Sequence, residues 1–390
     1  MSTKNILIIA KIYHANGRAR ALQMRRVFFA LQCFTDHNIT LITEGKTDAY
    51  DNEIISIPPN KIFWPQIKRV FDRFLIETEL LKSTNFNNEA YEKAKILIEA
   101  KKVDILFTVS SPIDSHLVGL SLKKQFPGLK WMTYFSDVWP FSLLPKPYYR
   151  KKFLSKKEEA ITQKVILNCD MVITPSSFGV EILKSKYKCS TPMYSVPHCI
   201  EERAANSFDT DRSGYIVHSG DLQKERINSA LVEAIIDLSL EEPNFKGFVH
   251  IGGYDNSLKI LIEKFNCTHI NLVGRLKEEE ASKLQSKFSV GMIIESKMGD
   301  ISPFMPSKIT DSIQLHEKLI CVTPRQSFLT QFSSEHKGVY SCVYNRDEIK
   351  KCVSEALKSK EIIEPETVQY FKPKKIAAMY DDLFEKLVIN

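Results

Sequence analysis

Short apolar runs recur along the chain, each closed by a turn and followed by residues that repeat at helical spacing. In the first half the runs are NILIIA (5–10), NITLIT (38–43), DILFTVSS (104–111), KWMTYF (130–135), DMVITPS (170–176) and PMYSVP (192–197). Between them lie amphipathic stretches such as RALQMRRVFFALQ, NEAYEKAKILIEAKK and SFGVEILKSKY. Buried strands alternating with crossover helices predict a parallel sheet covered on both faces. A polar stretch without periodicity, ERAANSFDTDRSG (202–214), reads as a linker, after which the pattern restarts with YIVHSG, FKGFVHIGG, THINLVGRL, FSVGMIIE and KLICVT. Two doubly wound α/β domains, 1–200 and 201–372, are therefore expected, followed by an amphipathic helix that opens at Pro373, where proline suits a first turn.

Composition agrees with two cores: 390 residues with 43% hydrophobic content exceed one ordinary domain. The first apolar run is too short for a signal-peptide core, and no segment approaches the roughly 20 apolar residues of a membrane span. Eight cysteines lie scattered with no C-x-x-C pair or zinc spacing, which points to free thiols in a reducing cytoplasm. The net charge of +7 is uneven, with residues 1–200 at +11 and the remainder at −4. A basic first half suits an anionic partner. No nucleic-acid recognition module supports reading that partner as DNA or RNA, and no G-x-G-x-x-G follows a strand, which argues against a dehydrogenase.

Open parallel sheets bind ligands at the carboxyl ends of their strands, so with two sheets the space between domains is the favoured site. The stretch SPFMPSKITDSIQ (302–314) sits where a buried strand hands over to a helix. Pro306 fits the first turn, the free amides and dipole there favour an anion, and Ser307 and Lys308 add a hydroxyl and a charge. The plainer alternative is a helix start with a solvated lysine. In YIVHSGDLQKERINSALVEAI, Gly220 ends a strand and Arg226 lies near the next helix, so Arg226 either reaches the same anion or is a surface arginine. In LVGRLKEEE, Gly274 permits close backbone approach, and the main chain at Arg275 and Leu276 could meet the edge of a base; an ordinary turn is the alternative.

Over nearly its whole length the chain resembles two-domain GT-B glycosyltransferases of the large retaining group called family four. The most specific match is DILFTVSSPIDSHLVGLSLKKQFPGLKWMTYFSDVWP, similar to the family's strand, Ser-Ser-Pro turn, helix and D-x-W-P segment. CDMVITPSSFGVEILKSKY and MYSVPHCIEE resemble its last strand and crossover. In the second half, Gly220 with Arg226, INLVGRLKEEE and PSKITDSIQLHEKLICV follow the donor-site motifs. HANGRARALQMRR, with Gly17 and Arg20, stands where the family has a glycine-containing loop and a basic helix. The resemblance implies two Rossmann-like domains facing across a cleft, the helix 373–390 packed back on the first. It implies retaining, metal-independent transfer of a sugar from a UDP- or GDP-type nucleotide sugar, with no other cofactor.

Several positions depart from that pattern. Of two glutamates usually spaced eight apart, the second is Asp311 and the first is Pro303, leaving Glu295 or Asp300 to supply a contact. His316 replaces a glycine, and Asp221 replaces an arginine where it would repel phosphate. The histidine after DILFTV falls near Ser110, with His116 roughly two turns on.

For transfer, Lys308, Arg226, Ser307 and the helix N-terminus would stabilise the departing diphosphate. Asp137 would orient acceptor or donor, or else cap a helix, and Ser110 and His116 would face the cleft unless His116 is a packed residue. KIFWPQIKRVFDRFLIETELL (61–81) and KPYYRKKFLSKK (146–157) interleave aromatic and basic residues, which suits contact with an anionic membrane and a lipid-linked or glycan acceptor of surface polysaccharide synthesis. Core aromatics with a solvated charged face are the alternative. A nucleotide-sugar epimerase of the same fold, or an impaired glycosyltransferase-like binding protein, are the competing functions.

Overall fold

The computed structural model describes residues 3–13, 19–45, 53–59, 85–110, 112–138, 152–201, 213–223, 226–227, 229–297 and 299–389. The chain divides into two compact units, one formed by residues 1–199 with 373–390 and the other by 200–372.

Among the described residues, the first unit is a seven-stranded sheet in the order β3-β2-β1-β4-β5-β6-β7, in which every neighbouring pair is parallel. The strands are β1 (Asn5–Ile12), β2 (Asn38–Glu44), β3 (Ile54–Ile57), β4 (Ile105–Ser110), β5 (Lys130–Phe135), β6 (Met171–Thr174) and β7 (Met193–Ser195). Strand order reverses between β1 and β4, which is the switch point of a doubly wound sheet. β3 was not among the expected strands. It is a four-residue edge whose first three residues are half-buried, so it lacks the apolar continuity that marks the central strands.

The helix Pro373–Ile389 belongs to this first unit. Ile376, Ala377, Tyr380, Leu383, Phe384 and Leu387 recur at helical spacing and are all buried in one core with Ile8, Phe28, Phe107 and Met132. Polar contacts fix its register: His37 Nε2 meets Asp381 Oδ1 at 2.9 Å, and Lys4 pairs with Glu385.

The second unit has six strands among the described residues, ordered β10-β9-β8-β11-β12-β13 and again parallel throughout. They are β8 (Tyr215–Ser219), β9 (Gly247–Ile251), β10 (Ile270–Gly274), β11 (Val290–Ile294), β12 (Lys318–Val322) and β13 (Val339–Cys342). Alternation along β12 shows both faces covered. Ile320 and Val322 join the core under the helices Ser229–Glu241 and Arg346–Lys358, whereas Leu319 and Cys321 join one with Met305, Ile309, Ile313 and Phe371. β13 is the second unexpected strand, again a short edge. The switch point here lies between β8 and β11.

His316, which stands where a glycine was expected, is accommodated by moving the small residue elsewhere. Its buried ring lies against Gly291 of β11, where any Cβ would overlap the imidazole, and Nδ1 bonds the Phe288 carbonyl at 2.8 Å. Burial lowers this histidine to about 4, so it packs as a neutral ring.

Candidate functional site

In the second unit the strand ends around the β8/β11 switch point carry four glycines, and their spacing explains why side chains are absent there. Gly220 follows β8 with φ +113°, a conformation that strains any L side chain, and a Cβ on it would overlap the end of Lys308. Gly252, with φ +144°, brings its own backbone against the Gly220 carbonyl. A Cβ on Gly253 would lie 2.7 Å from Arg275 Nε and 2.8 Å from Asp221 Oδ1. Gly274 ends β10 with open space beside it.

Lys308 opens the helix Lys308–Leu315, the crossover from β11 to β12. Ile309 N donates to the Pro306 carbonyl at 3.1 Å, so the turn begins at the proline as its missing N–H permits. Ser307 precedes the helix with no side-chain cap bond. The lysine stem is half-buried but its Nζ is buried, and among the described residues Nζ has no hydrogen-bond partner. Burial first, and the like charge of Arg226 second, lower this ammonium to about 7, with Asp221 acting in the opposite direction.

Arg226 is thus brought to the same place. Its Nη1 donates to the Asp221 carbonyl at 3.1 Å, which folds the guanidinium back over the end of β8. Asp221 does not stand open to repel an anion as its charge suggested: its carboxylate accepts from Arg275 Nη2 at 2.7 Å and from Gly253 N at 3.0 Å. This clasp ties together the turns after β8, β9 and β10. It also occupies the Arg275 side chain, leaving the main chain at Arg275 and the exposed Leu276 free of that group.

Glu295, just past β11, is buried and turned inward. Ser302 Oγ donates to its Oε1 at 2.8 Å and the Thr323 hydroxyl bonds its other oxygen, so it pins the loop before Lys308 to the end of β12. Burial raises this acid to about 7 against the opposing pull of those two hydroxyls and Arg226. Pro303 is buried, Asp300 is exposed, and Asp311 is half-buried in the first turn of the helix.

Two residues of this site escaped the sequence reading. His218 of β8 and His250 of β9 are paired in register and fully buried, their rings stacked 5.4 Å apart at 14°. His218 Nδ1 meets the Met292 carbonyl at 2.9 Å, and His250 Nε2 the Gly253 carbonyl at 3.3 Å. A carbonyl only accepts, so each of those nitrogens carries the proton and the other nitrogen keeps a lone pair. Each histidine lies two residues before a strand-end glycine, the one signal available in sequence.

The first-unit candidates separate into two environments. Asp137, after β5, forms an ion pair with Arg20 of the helix Ala19–Phe34, and both are partly exposed. His116 is fully buried: Nδ1 bonds Thr108 Oγ1 at 2.8 Å, Trp131 Nε1 donates to the same hydroxyl at 2.9 Å, and Phe135 packs 4.6 Å from the ring. Burial lowers it to about 3, so it packs as a neutral ring, which is the packed alternative the sequence left open. Ser110 ends β4, also buried, with Oγ 3.5 Å from the Tyr134 carbonyl. Gly17, Trp139, the stretch 61–81 and residues 146–151 lie outside the described residues.

The architecture is that of GT-B proteins: two Rossmann-like units, each a doubly wound parallel sheet. No family model and no curated protein matches the sequence. Solved structures match its fold. Anabaena Alr3699/HepE in complex with UDP and glucose superposes with a TM-score of 0.65 at 10% identity, covering 98% of this chain and 100% of that one. The lipopolysaccharide outer core galactosyltransferase WaaB in its apo form gives 0.58 at 13% identity over 98% and 99%. A putative UDP-N-acetylglucosamine 2-epimerase from Listeria monocytogenes gives 0.53 at 11% over 99% and 98%. Among the described residues, no helix is long and apolar enough to cross a membrane.

Proposed function

We propose that the chain is a glycosyltransferase that moves a sugar from a nucleotide-diphosphate sugar to a hydroxyl of a glycan or lipid-linked acceptor. The observation that carries this reading is the buried Nζ of Lys308, without a hydrogen-bond partner among the described residues, beside Arg226 at the β8/β11 switch point. A buried amine and a guanidinium held close together, with the nearby Asp221 carboxylate already bonded to Arg275 and Gly253 N, favour an anion that can pair with both, and a diphosphate does so.

The chemistry follows from these groups. As the anomeric C–O bond breaks, negative charge collects on the departing diphosphate, and Lys308, Arg226, Ser307 and the free amides before Ile309 stabilise it there. The turns at Gly220 and Gly252 bring main chain close to the same phosphates, and the backbone at Arg275 and Leu276 is positioned for the base. Asp311 is within the first turn for ribose hydroxyls. Residues 1–200 with the terminal helix form the acceptor side, where Asp137, steered by Arg20, orients a hydroxyl. Membership of the retaining family four, a UDP- or GDP-type donor and peripheral membrane contact through 61–81 and 146–157 extend the same reading.

A thermal-shift panel of UDP-, GDP-, ADP- and CMP-sugars tests it. One nucleotide class should stabilise the protein by about 2.7 kcal/mol at a hundred times its Kd. An unchanged melting point across the panel rejects the donor site. The likeness to an epimerase keeps a second reading open: incubation with UDP-N-acetylglucosamine and no acceptor should leave the sugar's configuration unchanged, and a new epimer would favour the epimerase. Binding without turnover of either kind would mark a binding protein.

A further inference from the structure

The nucleotide-sugar site leaves one question of its own: how a cation survives there before its anion arrives. This inference rests on that reading and adds to it. At this site the side-chain nitrogens Lys308 Nζ, His218 Nε2 and His250 Nδ1 are buried without hydrogen-bond partners among the described residues. They are close enough for the lysine charge to act on both imidazoles.

Among the described residues, only Asp221 favours a charge on Lys308, and the other titratable groups around it do not. From β8 and β9 come His218 and His250, which burial and the lysine itself keep neutral. From the turn after β8 comes Arg226, a like charge. Asp221, in the same turn, is the opposing acid, and its carboxylate is already shared between Arg275 and Gly253 N. Glu295, past β11, interacts with Arg226 and is bonded to Ser302 and Thr323. The Nζ lies against Gly220, where no side chain fits beside it.

We propose that Lys308 waits in the empty site as an uncharged amine and takes up its proton together with the incoming diphosphate, so that donor binding consumes about one proton at alkaline pH. The balance is simple: a proton leaves the buffer, the Nζ lone pair accepts it, and no covalent bond to the ligand forms. The sugar nucleotide is a diphosphate diester with no group that titrates near neutrality, so the proton has to land on the protein. The sign follows from linkage. With the empty site near 7 and the occupied site well above it, the amine already holds its proton at pH 5.5, whereas binding at pH 8.5 must import one. Affinity should fall about tenfold for each pH unit above 7.

The test is calorimetric titration of the full chain with UDP-glucose or GDP-mannose in buffers of low and high ionisation enthalpy. The dependence of the measured heat on buffer enthalpy should correspond to about one proton at pH 8.5 and to nearly none at pH 5.5. Lys308→Arg keeps a permanent charge, so its uptake should vanish and its affinity should stay flat across that range. His218→Gln and His250→Gln, whose parent imidazoles are already neutral, should each keep the uptake, which leaves Lys308 as the acceptor if the arginine variant folds poorly. Buffer-independent heat at pH 8.5 in the wild type, uptake that persists in Lys308→Arg, or uptake lost in His218→Gln or His250→Gln would each overturn the proposal. Absence of any binding heat at both pH values is different: it removes the donor site itself.

Discussion

Gly220 and Lys308 are separated by 88 positions in sequence, yet the lysine end fills the space a side chain at 220 would need. Gly220→Ala would place a methyl group on the ammonium and hold it at positive φ. A loss of about 1–3 kcal/mol of stability is expected, read by denaturant unfolding, together with loss of the sugar-nucleotide thermal shift. Lys308→Ala makes the contrasting prediction. It removes a poorly solvated amine, so the protein should be no less stable than wild type, while nucleotide-sugar binding weakens 100-fold or more. Glu295 gives a pH signature of its own. A buried carboxyl raised from its ordinary value to about 7 binds a proton more tightly folded than unfolded. Its contribution is therefore present in acid and lost as pH rises between about 4.5 and 7, at most about 3 kcal/mol. Glu295→Gln should flatten the decline in melting temperature over that window, and an unchanged slope would show that the carboxyl is not buried in solution.

At the scale of elements, what sequence revealed depended on burial and position. The inner strands were legible because both faces are covered, giving apolar runs such as VGMII and the LICV of β12. β3 and β13 were not, because four-residue edges with half-exposed positions have neither length nor alternation. Lys308, Arg226 and Gly220 stood out because they follow strands, where ligands bind to such sheets. His218 and His250 were hidden because a histidine inside an apolar run reads as an interruption, and only the pairing of β8 with β9 shows that two of them stack. His116 stayed between two readings for a related reason: a helix residue after a strand end can face solvent or the sheet, and the Thr108–Trp131 pair that captures it comes from β4 and its neighbour β5. The terminal helix offers a test at this scale. Phe384→Ala removes a fully buried ring from the first core and should cost about 3–5 kcal/mol in denaturant unfolding, without changing the nucleotide preference assigned to the second unit.

For the molecule as a whole, the residues proposed for the donor belong to one unit, 200–372. A bound sugar nucleotide should then protect backbone amides of that unit from hydrogen exchange, above all the turns after β8, β9 and β10 and the helix Lys308–Leu315. The terminal helix has a different consequence, one that concerns synthesis. The first sheet is complete on the growing chain once β7 has been made, but the helix that covers Phe107 and Met132 is made only after the whole second unit. Until that helix has been made, Phe107 and Met132 lack part of their cover and stand open to chaperones or proteases. A premature stop anywhere before Pro373 therefore strands the earliest domain half-dressed, and such fragments should be cleared rapidly in the cell.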